Sequence, residues 1–98
     1  MPEAPRPRVY VAYQTPAARV EAFRLASDLR RAGIAAIAAA GERSLKAQMR
    51  HAGALGAEYV AIIGERELWE GAATLKRLDD GSQETVALGD VAGRLSPG

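Results

Sequence analysis

The sequence predicts an α/β domain: a five-stranded mixed sheet with helices on its faces. Three observations carry this expectation. Apolar runs at Val9–Tyr13, residues 34–39 and Tyr59–Ile63 alternate with two segments of helical periodicity, and the joints between them are short. Strand–helix–strand–helix–strand in that form means two right-handed crossovers and a parallel arrangement of order 2-1-3. Further on, Asp79-Asp80-Gly81-Ser82 separates two strand-like segments, residues 72–78 and 83–88. Asp-Gly between such segments marks a tight hairpin, because the turn needs positive φ. Finally, 98 residues with 48% hydrophobic and 26% charged content suit one globular domain that needs no staples.

Residues 1–7, MPEAPRP, hold three prolines and little apolar content, so a linker or frayed tail is expected there. The first strand, VYVAY, is apolar throughout. Thr15 can then cap a helix with Pro16 at its first position, where a missing N–H costs nothing. Ala18, Ala22, Leu25 and Leu29 give that helix an inward stripe. Its arginines read as a solvated face, with Glu21–Arg24 and Arg24–Asp28 spaced for weak surface pairs. Gly33 stops the helix. Residues 34–39, IAAIAA, follow a glycine stop, are too short for a helix and carry two isoleucines, so a strand is expected despite the alanines.

Ser44 opens the second helix as its cap, and Leu45, Met49 and Ala52 recur on its inward face. Arg43, Lys46 and Arg50 fall at i, i+3 and i+7 along another side. Gly56 ends this helix, since φ > 0 is tolerated there. YVAII is an unbroken run rich in β-branched residues, as in a strand covered on both faces. An acidic turn, GERELWEG, follows. In the hairpin, Leu75 and Leu78 have opposite parity, so a bulge is conceivable. Residues 89–95 suit a short closing helix, and residues 96–98 a frayed end.

Composition excludes several classes. Without cysteine there are no disulfides and no thiolate metal sites, which fits a cytoplasmic location. No apolar run approaches the ~20 residues of a membrane span, and no signal-peptide core is present. Net charge is only +1, but residues 1–50 hold nine Lys/Arg against four Asp/Glu, and residues 51–98 four against eight. Such asymmetry favours a local basic patch. Neither a DNA partner nor a membrane is expected.

Catalytic chemistry is not encoded in any recognisable pattern. The single histidine, His51, lies inside a helix with no acidic residue three or four positions away, and reads as a packing or surface residue. HExxH, GxSxG and phosphate-loop patterns are missing, and Gly53-Ala54-Leu55-Gly56 is a helix exit. No catalytic residue, cofactor or metal is expected. Binding fits better, because ligands of open α/β sheets sit outside the carboxyl ends of the parallel strands. Those ends offer Tyr13 and Gln14, then Glu42 and Arg43, then Glu67. An aromatic for stacking, an amide, cations and a carboxylate are the groups that read single-stranded RNA. A carboxylate such as Glu67 can accept from a base amino group.

Three segments carry a family resemblance. VYVAYQTPAARVEAFRLASDLRRAGI, GERSLKAQMRHAGALGAEYVAIIGERELWEG and TLKRLDDGSQETVAL, in that order, resemble the C-terminal anticodon-binding domain of class II aminoacyl-tRNA synthetases. The histidyl branch is the most similar, through SLKxQM, the IIGExEL strand end and the QETV hairpin. The resemblance covers about residues 8–95. It implies a three-layer α/β/α domain with strand order 2-1-3-4-5 and strand 4 antiparallel. It also implies binding of a tRNA anticodon loop, here of histidine tRNA, beside a catalytic domain upstream. Carried over position by position, it places RNA contacts at Glu67, at Lys76 on the following strand, and at Glu42 and Arg43. Tyr13-Gln14 departs from the Pro-Leu-Gly-like loop of the family after its first strand. With Lys46 and Arg50 as phosphate contacts, this gives eight candidate RNA-binding residues. The alternative is a regulatory or protein-interaction domain of a synthetase paralogue that has lost tRNA. A small flavodoxin-like enzyme is a third reading, disfavoured by the missing phosphate loop.

Overall fold

A computed structural model describes residues 6–41 and 44–95. The expectations for Glu42 and Arg43, for most of the N-terminal tail and for residues 96–98 lie outside the described residues. Pro7 is already buried.

In chain order the elements are β1 (Val9–Tyr13), α1 (Pro16–Arg31), β2 (Ala36–Ala38), α2 (Leu45–Leu55), β3 (Tyr59–Ile63), α3 (Glu65–Glu70), β4 (Ala72–Arg77) and β5 (Gln83–Ala87). A 3-10 turn, Leu88–Asp90, and α4 (Val91–Leu95) close the chain. The sheet order is β2-β1-β3-β4-β5. β1 pairs in parallel with β2 and β3, and β4 runs antiparallel to both of its neighbours. Because β1 to β2 steps one way and β2 to β3 the other, right-handed crossovers put α1 and α2 on opposite faces. Three layers follow from topology alone.

The capping chemistry is where the sequence placed it. Thr15 Oγ1 accepts from Ala18 N at 3.2 Å, with Pro16 in the first turn. Ser44 Oγ accepts from Ala47 N at 3.1 Å, and Gly56 closes α2 in the left-handed region. Along α1, Arg24 pairs with Glu21, but Asp28 pairs with Arg31 instead of Arg24. β2 is shorter than expected. Ile34 receives no strand partner because its N–H returns to Leu29 O in the helix exit, and Ala39 supplies only the last ladder bond, to Val11 O.

Residues paired across strands share a face, so the register divides the sheet. Tyr10 meets His51 of α2, which places Tyr10, Ala12, Val60 and Ile62 on the α2 face, together with Thr74, Lys76, Gln83 and Thr85. Val9, Val11, Ala61, Ile63, Ala73, Leu75 and Val86 lie on the other face. There α1 and α4 cover them, and all seven are buried. The α4 cover is pinned by Val91 and Leu95 in the core, by Arg94 to Glu84 and by Arg8 Nε donating to Leu95 O. On the α2 face, the helix packs on β1 and leaves the β4–β5 half uncovered.

The hairpin turns at Gly81, whose φ of 75° needs a residue without Cβ crowding. No bulge interrupts the register from Ala72 to Lys76. The parity conflict disappears because Leu78 lies in the turn, where its N–H donates to Glu58 O.

Candidate nucleic-acid interface

The uncovered half of the α2 face is polar by design of the alternation. Along β4 and β5, Thr74 and Lys76 are half-buried and Gln83 and Thr85 exposed, while Leu75 and Val86 point the other way into the core. One end of this strip is walled by α3. Arg66, Glu67 and Glu70 join Thr74, Gln83, Glu84 and Thr85 around a shallow cavity of about 240 Å³.

The expected acidic turn after the third strand is this six-residue helix. It nucleates without a Ser or Thr cap: Glu67 Oε1 reaches back and accepts from Gly64 N at 2.8 Å. A Cβ at Gly64 would collide with the Gln14 amide oxygen and stand 2.8 Å from Glu67 Oε1, so the tips of both flexible side chains would have to move aside. Gln14 and Glu67, from different strand ends, therefore meet over one glycine. Gln14 N also donates to Ile63 O at 3.1 Å, which locks the two strand ends together.

Tyr13 is a correction. It is 7% exposed and its hydroxyl donates to Gly41 O, so its ring is not offered for stacking. Its side chain falls on the α1 face, by parity with Val9 and Val11, and is covered there. Beneath it the structure reveals a residue that the inward stripe of α2 should have included. Gln48 is fully buried. β2 ends at Ala38, so the Tyr13 N–H and C=O, which point toward β2, have no strand partner. Gln48 takes that place: its Oε1 accepts from Tyr13 N and its Nε2 donates to Tyr13 O, both at 2.9 Å. A polar residue at helical spacing from Leu45 and Ala52 was the available signal. One turn along, His51 Nδ1 lies 3.1 Å from the Tyr10 hydroxyl, with the rings edge-on at 84°. It is a packing residue, as expected.

Lys46 and Arg50 are exposed one turn apart on α2, and Lys76 stands on the open strip between Val60 and Gln83. Their electrostatics differ from those of most other cations. Arg8, Arg24, Arg31, Arg66, Arg77 and Arg94 each hold a carboxylate within ion-pair distance. Lys46, Arg50 and Lys76 hold none among the described residues. Glu67, apart from its bond to Gly64, likewise has no cation partner among them. The structure thus brings Gln14, Glu67 and the polar strip to one region, keeps Lys46 and Arg50 on the helix over β1, and withdraws Tyr13.

A family profile described as "Anticodon binding domain" matches residues 8–96. The chain belongs to the anticodon-binding domain family. Histidine–tRNA ligase of Dehalococcoides mccartyi is 42% identical over 87 residues, which is 89% of this chain and 21% of that protein. The histidine–tRNA ligase of Syntrophotalea carbinolica is 48% identical over 86 residues, 88% of this chain and 20% of the relative. Among solved structures, histidyl-tRNA synthetase from Nostoc sp. PCC 7120 superposes with a TM-score of 0.86 at 28% identity, over 93% of this chain and 22% of that one. The RNA-binding domain of threonyl-tRNA synthetase from Cryptosporidium parvum shares the fold at 20% identity, with a TM-score of 0.84, over 91% of this chain and 22% of that one. The chain spans about a fifth of the length of the curated relatives it matches. The sheet order β2-β1-β3-β4-β5 and the three-layer arrangement of this chain are those expected of the anticodon-binding fold. No helix among the described residues is long and apolar enough to cross a membrane.

Proposed function

We propose that this domain binds the anticodon loop of a tRNA, that of histidine tRNA, and serves a histidine–tRNA ligase as its non-catalytic module. One observation supports this above the others: a domain of the anticodon-binding family leaves half of one sheet face uncovered and polar, with Lys46, Arg50 and Lys76 holding no carboxylate among the described residues. Nucleotides lifted out of a stacked loop need such a surface, with backbone charge met on one side and base edges on the other. Lys46 and Arg50 would meet phosphates, and Lys76 either a phosphate or a base acceptor. Glu67 Oε1 is held by Gly64 N, which leaves its second oxygen to accept from a base amino group. Gln14, beside it, supplies both a donor and an acceptor. Glu42 and Arg43 are proposed at the same rim from the family resemblance. The ligase chemistry is assigned to the part of the relatives that this chain does not match, and the site of action to the cytoplasm.

The test is a fluorescence-anisotropy titration of an anticodon stem-loop of histidine tRNA at several salt concentrations. Tight binding that falls with salt is expected. Lys46→Ala and Arg50→Ala should each flatten the log–log slope by about 0.7, the single-strand value per phosphate contact. Equal affinity for a loop of scrambled sequence would refute anticodon reading, and an absence of binding would refute the function.

A further inference from the structure

Recognition of unpaired bases calls for an aromatic surface, and the expected one, Tyr13, is buried. The remaining aromatics can be taken in turn. Tyr10 is fully buried. Tyr59 is half-buried on the α1 face, with the Arg8 guanidinium 5.6 Å from its ring centroid. Phe23 lies on α1, across the sheet from the open strip, with the Arg19 guanidinium 5.4 Å from its centroid. Phe23 is 44% exposed but on the far face, whereas Trp69 is 86% exposed and sits on α3, the helix that walls the cavity.

A single exposed aromatic is ordinary on a protein surface, so exposure by itself decides nothing. Position does. Arg66 and Glu70 line the cavity and pair with each other at 2.8 Å across one turn, forming its lip. Trp69 follows Arg66 by three residues and is its neighbour along the helix surface, outside the cavity lining itself and on a different side of α3 from Glu67. α3 is capped at its start by the Glu67–Gly64 bond and closed at its end by Gly71 in the left-handed region, which defines the short helix that carries the indole. We infer that Trp69 is the base-stacking residue of the RNA interface, holding a nucleotide adjacent to the one in the cavity. This rests on the anticodon-binding reading above. Every base has a π-face, so the indole contributes affinity, while Glu67 and Gln14 contribute choice.

The chain contains one tryptophan, which makes the experiment direct. The stem-loop is titrated into the 98-residue chain, and binding is read twice: by anisotropy of labelled RNA, and by indole emission with its accessibility to acrylamide. Stacking should quench the emission and shield the ring from acrylamide at RNA saturation. Trp69→Ala should weaken binding roughly 5- to 150-fold, by the same factor for matched and scrambled loops, with unchanged thermal unfolding. Trp69→Phe should restore most of the loss. If the RNA binds while emission and quenching stay unchanged and Trp69→Ala binds as well as the parent, the stacking role is overturned. The anticodon reading then survives. If anisotropy shows no RNA binding at all, both fall together.

Discussion

The two halves of the sheet are built on different rules. β1 is covered on both faces, by α1 and by α2, and it and its parallel neighbours are apolar without alternation. The β4–β5 hairpin is covered on one face only, and its residues alternate: Ala73, Leu75 and Val86 inward to α1 and α4, Thr74, Lys76, Gln83 and Thr85 outward. The covered half sets stability, and recognition is proposed for the half-open one. The joint between them is the β3–α3 corner, where Gly64 lets Gln14 and Glu67 close on each other.

That division is tested most severely by truncating one residue in each half. Ile63 is fully buried at the end of β3, and Ile63→Ala should cost about 2–5 kcal/mol in denaturant unfolding. Thr85→Ala, on the open strip, should stay within about 0.5 kcal/mol while weakening RNA binding. Comparable losses of stability from the two would erase the distinction.

Next in size is the clamp under the rim. Gln48→Leu leaves the buried Tyr13 N–H and C=O without partners, at about 1–3 kcal/mol for each unsatisfied group. A fall in stability of about 2 kcal/mol or more is expected, measured by urea unfolding. An unchanged midpoint would mean that the strand end does not depend on this side chain.

Glu67 sharpens the comparison because it belongs to both rules, as a helix anchor and as a proposed base reader. Glu67→Ala should cost about 1 kcal/mol by removing the acceptor for Gly64 N. Glu67→Gln keeps an oxygen there and should leave stability nearly unchanged while reducing discrimination between matched and scrambled loops. A glutamine variant that discriminates fully would remove the carboxylate from base choice.

The smallest effect lies at the hairpin tip. The hydroxyl and backbone N–H of Ser82 both donate to Asp80, and hold its carboxyl below its ordinary value of 3.8. A depressed value means that the contribution is present above about pH 3.8 and is lost as pH falls through the lower, folded value. Asp80→Asn should flatten that acid limb slightly and leave RNA binding at neutral pH intact, as read by unfolding at stepped pH.

How much of this was legible follows from the same contrast. β1 and β3 could be read because five consecutive apolar residues have few alternatives, and the caps at Thr15, Ser44 and Gly56 because each meets a specific backbone need. The hairpin was announced by Asp80-Gly81. α3 was not: six residues are too few turns to show a period, and its cap is a glycine plus a glutamate three positions on. β2 was over-extended because alanines do not mark where pairing ends. Tyr13 was expected in the open and Gln48 was not singled out, both because a strand end lacking its neighbour is a tertiary fact. Of the candidate site, the carboxylate, the amide and the three cations were proposed from the sequence, and their contact with RNA remains a proposal. The open strip of Thr74, Gln83 and Thr85 was not, because nothing local says which face of a hairpin a helix will leave bare.

The most direct measurement is a set of ¹H–¹⁵N correlation spectra recorded as the anticodon stem-loop of histidine tRNA is added. Shifts concentrated on Thr74, Lys76, Gln83, Thr85, the α3 residues and Lys46 are expected, with α1 quiet. Shifts centred on the arginines of α1, with the β4–β5 strip unmoved, would contradict recognition by the uncovered half of the sheet.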